Sequence, residues 1–332
     1  MQRFSEKFDR RATDDAPSQA ELAALFPQLS DFSLLSGGFS NTNYRVRLPS
    51  SGSTGSTVHT AHTAHAVLRL ARDPAALAKE VAALRRIRER VPAPEVLDHG
   101  RDGERAWALL GWIDGVSMDR ALEAGVDERE ARSLGRACGA ALSAIHGVGF
   151  ERAGFLDDTL QVVEPLEPVG RAYLNHTRDT LARPLPRARL GEPLAARLEA
   201  LLRRRGSLLD DLPRTRQLIH ADFNTKNLLV RRSSGGWELA AVLDWEFAHA
   251  GPPLADIGNF LRFDEEAPAG LAEAFREAYR SGGGLLRGER DMDRARLLDL
   301  AAVVSFLDGP EERPRSVATA RAVITRALAL LD

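Results

Sequence analysis

The run His220-Ala-Asp222-Phe-Asn-Thr-Lys226-Asn227, with Val242-Leu-Asp244-Trp-Glu246 in the next apolar segment, constrains this chain of 332 residues more than any other feature. Leu218-Ile219 before it and Leu228-Leu-Val230 after it are short apolar runs. Ser233-Ser-Gly-Gly236 is a turn, and Leu239-Ala-Ala-Val-Leu243 is a further run ending at Asp244. Apolar runs of this length between Gly, Ser and Asn clusters read as strands. The stretch therefore predicts strand, loop, hairpin, loop. Folded so, it brings two carboxylates (Asp222, Asp244) and one side-chain amide (Asn227) together. An Asp that caps a turn and an Asn that bonds its own backbone would be the purely structural explanation, and the order of the flanking segments weighs against it.

Upstream, Leu34 to Leu48 reads as strand, glycine-bearing turn, strand. Gly37 and Gly38 let backbone approach a ligand, and Ser40, Asn41, Thr42 and Asn43 supply small polar donors. Ala66-Val-Leu-Arg69-Leu70 reads as a strand with one cation. The segment from Ala76 to Arg88 is an amphipathic helix with Leu77, Val81, Leu84 and Ile87 on one face, and Glu80 beside that face is placed to pair with Arg69. Trp107 to Gly115 reads as a strand running into a turn. Asp127 and Glu130 form a capping-box pattern at the start of a helix to Ile145. Further helices are predicted over 19–26, 190–209, 270–280, 293–307 and 316–331.

The pattern His220-x-Asp222-x4-Asn227 followed by Asp244 resembles the catalytic and metal-binding loops of kinases. No Arg stands between His220 and Asp222, and Trp-Glu rather than Phe-Gly follows Asp244. Both departures resemble the aminoglycoside phosphotransferase and choline kinase branch, which acts on small molecules. The resemblance covers residues from about 30 to 310. It implies an α+β, bilobal protein-kinase-like fold: a small antiparallel-sheet N-lobe with one main helix and a larger, mainly helical C-lobe. The expected divisions are an extension over 1–30, an N-lobe over 31–113 with a flexible insertion over 49–65, and a C-lobe over 114–332. A protein kinase is disfavoured because the run from Asp244 to Asp256 is too short for an activation segment.

In-line transfer of the ATP γ-phosphoryl group to a small-molecule hydroxyl is the implied reaction. Asp222 would be base or orienter, and Asn227 and Asp244 would hold Mg²⁺. Arg69, positioned by Glu80, would grip the phosphates under the Gly37–Asn43 loop. Backbone groups around Gly111, Trp112 and Ile113 would bond adenine, with Leu110 behind it. His220 and Asp256 would support the loop, although Asp256 would also suit an N-cap for a helix starting near Ile257. Arg69 stands where kinases carry Lys, and can grip phosphate with two nitrogens. It also fits a general preference for Arg, since Lys7, Lys79 and Lys226 are the chain's three lysines. Lys226 either reaches the transferring phosphate or is a solvated lysine; both readings stay open.

The acceptor is less legible. Glu246 with Asp264, Glu265 and Glu266 could form an acidic rim for a cationic acceptor, or a solvated loop. Aromatic residues are 6% of the chain, and Tyr173, Trp245, Phe260 and Phe263 are the candidates for an amine cage. An aminoglycoside or other amino-sugar or polyhydroxylated metabolite is therefore favoured over choline, ethanolamine or homoserine, with a nucleotide-binding pseudokinase as the alternative of another class. GTP in place of ATP also stays open. His59, His62 and His65 recur in a Ser/Thr/Gly-rich tract that offers no fourth metal ligand. A net charge of −2 argues against a general nucleic-acid binder. No 18-residue apolar run suggests a membrane span, and the single Cys138 suits a reducing cytoplasm.

Overall fold

The computed structural model describes residues 16–35, 41–49, 64–102, 105–213, 215–234, 236–309 and 312–331. Gly37, Gly38, Ser40, His59 and His62 lie outside the described residues. Helix α1 (Gln19–Leu25) opens with a Ser18/Glu21 capping box. Strands β1 (Ser30–Leu35), β2 (Asn41–Arg47) and β3 (His65–Ala71) follow. Helix α2 (Pro74–Ile87) starts where the Asp73 side chain accepts from two backbone N–H groups and Pro74 pre-sets the first turn. Strands β4 (Val96–Asp102) and β5 (Arg105–Gly111) complete an antiparallel sheet of order β1-β2-β3-β5-β4.

Two of these boundaries correct expectation. His65 does not belong to a loop: it opens β3 and pairs with Arg47. Asn41, Thr42 and Asn43 are not turn residues but the start of β2, opposite Ala71, Leu70 and Arg69. Side chains alternate along a strand, so Asn41 and Asn43 share a face and Thr42 is turned to the other.

A segment without regular structure, 112–115, leads into the helical part. It begins with β6 (Val116–Ser117), α3 (Met118–Glu123) and α4 (Glu128–Ile145), the last opened by the Asp127/Glu130 capping box read from sequence. Next come β7 (Gly154–Leu156), β8 (Val162–Pro165), α5 (Val169–Ala182), α6 (Pro184–Leu190) and α7 (Glu192–Arg205). Strands β9 (Gln217–Ile219), β10 (Leu228–Ser233), β11 (Gly236–Val242) and β12 (His249–Gly251) precede α8 (Leu254–Phe260), α9 (Leu271–Ser281), α10 (Glu289–Ser305) and α11 (Pro314–Leu331). The sequence reading missed α3, α5 and α6, whose polar or proline-broken patterns lack a clean apolar stripe. Cys138 is buried on α4, and burial pushes its thiol up to about 12, so it packs rather than reacts.

One apolar core runs from α2 and β5 through α4 to α10, taking in Leu84, Leu110, Leu142 and Leu297. A smaller cluster on the other side of the sheet joins α1 to it through Leu22, Phe26, Phe32 and Leu68. Among the described residues no helix is long and apolar enough to cross a membrane.

Candidate active site

The loop from His220 to Asn227 is held from below. Asp256, fully buried, accepts the backbone N–H of His220 and of Ala221, both at 2.7 Å. Its Oδ2 also lies 3.1 Å from Nε2 of His146. Burial works against this charge, but the hydrogen bonds from His146 and the loop hold its carboxyl below the usual range. Asp256 lies in the first turn of α8, whose N-cap is Pro253, so the N-cap alternative is overturned. The His220 ring links two loops: Nδ1 accepts the Asp222 N–H at 3.2 Å, leaving Nε2 to donate to the Leu243 carbonyl at 2.8 Å.

This mounting presents Asp222. Asn227 Nδ2 donates to its Oδ2 at 2.7 Å, and Asn224 Nδ2 donates to its Oδ1 at 2.7 Å. Asn224 was not singled out from sequence, although an Asn two residues after an Asp is a common side-chain turn partner. Burial pushes the Asp222 carboxyl above its ordinary value, and the charge of Asp244 adds to the rise. Because the Asn227 nitrogen is committed to Asp222, its Oδ1 is left for another partner. With the partly exposed Asp244 carboxylate it makes an oxygen donor set of the kind magnesium takes beside phosphates.

Arg69 is the meeting point of sheet, helix and loop. Its Nε donates to Asn43 Oδ1 at 3.0 Å, and its Nη1 bonds both Glu80 and Asp244 Oδ1, the latter at 3.1 Å. Burial alone would lower its pKa, but the charges of Glu80 and Asp244 outweigh that and raise it. Glu80, 1% exposed, also accepts the Trp245 backbone N–H. Asn43 thus braces Arg69, and Asn41 donates to Glu246 Oε2 at 3.1 Å. That contact turns Glu246 toward the sheet rather than toward an acceptor rim.

A cavity of about 1100 Å³ runs from Leu110, Gly111, Trp112 and Ile113 past Asp222 and Lys226 to α8 and α10. The Gly111 N–H is already bonded to the Glu95 carbonyl at 2.7 Å, which leaves residues 112 and 113 as backbone donors for a base. At the far end the acidic trio does not form a rim. Asp264 is gripped by Arg276 at 2.9 Å and by Arg326, while Glu265 meets Arg326 at 3.2 Å. Glu265 and Glu266 do not line the cavity. Of the aromatic candidates, Trp245 is fully buried against His220 and Phe260 stacks on Phe275 at 4.2 Å. Phe260, Tyr173 and Phe263 all line the cavity, as do Phe155, Phe247 and His249, which were missed from sequence. Isolated aromatics on short strands and turns carry no sequence signal. Among the described residues no group of three or more His, Cys, Asp or Glu side chains is placed to hold a metal ion.

Comparison with known proteins gives a consistent picture. The family model described as phosphotransferase enzyme family matches residues 31–298. No match was found among curated protein sequences. The aminoglycoside phosphotransferase APH(4)-Ia is similar at 18% identity, covering 94% of this chain and 97% of that one, with a TM-score of 0.68. The GDP and kanamycin complex of APH(2")-IIIa is similar at 16% identity over 95% and 97%, with a TM-score of 0.66. A choline/ethanolamine kinase family protein from Mesorhizobium loti is similar at 21% identity over 96% and 95%, with a TM-score of 0.56. The fold of these proteins is the bilobal, protein-kinase-like one.

Proposed function

The chain belongs to the APH phosphotransferase enzyme family and is a small-molecule phosphotransferase with a nucleotide co-substrate; we propose that it moves the γ-phosphoryl group of magnesium-bound ATP to a hydroxyl of a polyhydroxylated small molecule. The observation that supports this most is the junction at Arg69, where one guanidinium meets Asn43, Glu80 and Asp244 while Asp222 stands nearby with both oxygens fixed. Asp222 takes the proton of the acceptor hydroxyl as its oxygen bonds to the γ-phosphorus and the bond to the ADP oxygen breaks. Arg69 lies against the phosphates as their permanent countercharge, with Glu80 setting its direction. Asn227 Oδ1 and Asp244 would hold magnesium, which would supply neutralisation of the phosphate charge. His220 and Asp256 position the loop without touching substrate. Catalysis then rests on placement and charge rather than covalent chemistry.

Asp222→Asn keeps the shape and removes the proton acceptor. It is expected to lower kcat by about 10²- to 10⁴-fold with ATP affinity unchanged, read by ADP release and calorimetry. Near-parental turnover would end the role of Asp222. Because the base must be ionised and burial raises its pKa, kcat/KM is expected to fall on acidification above the ordinary carboxylate range. The acceptor classes compatible with this chemistry are amino sugars including aminoglycosides, amines of the choline, ethanolamine or homoserine type, and uncharged polyols. They differ in the charge each brings to the acceptor end.

A further inference from the structure

A polycationic acceptor needs carboxylates that are not already neutralised. Beyond Asp222, the acceptor end of the cavity carries Asp264 and Asp299. Asp299 meets Arg262 through two parallel bonds of 2.8 and 2.6 Å, both side chains being almost fully buried. Asp264 lies between Arg276 and Arg326. Elsewhere on the wall Glu80 is paired to Arg69 and Glu246 is bonded to Asn41. Asp119, the second residue of α3, accepts the Arg120 backbone N–H at 2.8 Å. To gain an ion partner from Asp264 or Asp299, an amino sugar would have to displace an arginine from a formed pair.

That end also carries an uncharged polar group and open apolar rings. Asn259 is 5% exposed, lines the cavity, and its Oδ1 is buried without a hydrogen-bond partner. A buried acceptor atom left open in a protein is costly unless something fills it. Asp256, Asn259 and Arg262 recur at every third residue, a spacing that keeps helical side chains on neighbouring positions of one face. Asp256 holds the catalytic loop, and the charge of Arg262 reaches Asp222, so Asn259 sits between two groups tied to the reacting centre. Phe247 is 52% and Phe155 42% exposed, and both line the same cavity. Their setting is rigid: His249 donates from Nδ1 to the Phe247 carbonyl, accepts from the Tyr173 hydroxyl, and packs 5.6 Å from the Phe155 ring. Large apolar rings kept open on a rigid cavity wall mark a ligand contact.

Resting on the phosphotransferase reading above, we propose that the acceptor is an uncharged hydroxylated compound with an apolar face, of the alkyl or aryl glycoside class. One hydroxyl donates to Asn259 Oδ1, the apolar part covers Phe155 and Phe247, and a second hydroxyl loses its proton to Asp222 as its oxygen bonds the γ-phosphorus and ADP leaves.

The test uses the full chain with magnesium and a non-hydrolysable ATP analogue, and titrates octyl β-glucoside (below its micelle concentration), phenyl β-glucoside, choline, kanamycin and hygromycin B by calorimetry at low ionic strength. Phosphoryl transfer from ATP to each is followed by phosphorus NMR. At least one glycoside is expected to bind ten-fold or more tightly than kanamycin, hygromycin B and choline, and to be phosphorylated. Asn259→Leu and the surface variant Phe247→Ala are each expected to weaken glycoside binding about ten-fold and leave the nucleotide Kd unchanged. Kanamycin, hygromycin B or choline binding as tightly as the glycosides would overturn the proposal. So would glycosides that fail to bind while the nucleotide still does, or variants that leave glycoside binding intact. Loss of magnesium-dependent nucleotide binding, or ATP turnover untouched by Asp222→Asn, would instead strike the phosphotransferase reading itself.

Discussion

Two residues of the site adopt a backbone conformation that side chains disfavour. Ala221 and Asp244 both have φ of +64°, a left-handed geometry that costs a residue with a Cβ about 1 kcal/mol or more. Both stand at points where a strand must turn sharply to aim a carboxylate: Ala221 just ahead of Asp222, and Asp244 itself. At Ala221 the strain is sustained by its N–H bond to Asp256. Ala221→Gly is expected to leave stability unchanged or raise it by up to about 1 kcal/mol, while the looser loop lowers kcat. Chemical denaturation and steady-state kinetics read the two effects separately, and a clear loss of stability would contradict the strain. Arg69 is a second case where residue type matters. Its fork reaches Asn43 through Nε and two carboxylates through Nη1. An ammonium cannot span those positions, so Arg69→Lys is expected to weaken ATP binding by about ten-fold or more. An unchanged Kd would show that charge alone suffices.

At the scale of elements, two helix contacts decide where the site sits. Gly135 and Gly139, one turn apart on α4, lie so close to α9 that a Cβ on either would stand 2.2 Å from the Leu271 carbonyl oxygen or 2.3 Å from that of Phe275. Backbone cannot yield as a flexible side chain can. Gly139→Ala is expected to destabilise the fold by about 1 to 3 kcal/mol, with kcat retained in the molecules that stay folded. A neutral outcome in urea denaturation would mean the two helices can part freely. Helix α8 approaches α10 in the same manner at Gly258, where a Cβ would lie 2.2 Å from the Ala295 carbonyl oxygen. That approach seats Asp256 under the catalytic loop. Asp256→Asn removes a buried acceptor of two backbone N–H groups and is expected to cost about 3 kcal/mol at neutral pH. The Asp256 carboxyl is depressed by folding, so its stabilisation is complete above the ordinary carboxylate value of 3.8 and is lost as pH falls through the lower folded value. The gap between parent and variant should therefore close in strong acid. A gap constant from pH 7 to pH 2 would remove this assignment.

On the scale of the whole molecule, the sheet and the helical part share one apolar core, reinforced by the Arg69–Asp244 and Asn41–Glu246 contacts between them. Unfolding is expected as one calorimetric transition, with the van't Hoff and calorimetric enthalpies equal and ATP moving the whole peak upward. Two separable peaks would show that the halves melt alone. How much of this was legible beforehand depends on distance along the chain. The hairpin with Asp222, Asn227 and Asp244, the α2 stripe and the capping box of α4 are local patterns, and local spacing is what a sequence displays directly. Even the Arg69–Glu80 pair is only 11 residues apart. By contrast, Arg69 meets Asp244 across 175 positions, and the arginines that neutralise Asp264 and Asp299 come from separate helices and the helix-end turn after α8. The acidic trio looked like an open rim because its partners were remote in sequence. Likewise, nothing local distinguishes Asn259 from an ordinary polar residue on a buried helix. The chain's own order of residues thus determined the strand, loop and helix types and the chemistry that phosphoryl transfer can use. Which charges are already satisfied, and which polar atom is left open to an acceptor, only packing decided, because neutralisation and burial are properties of neighbours in space.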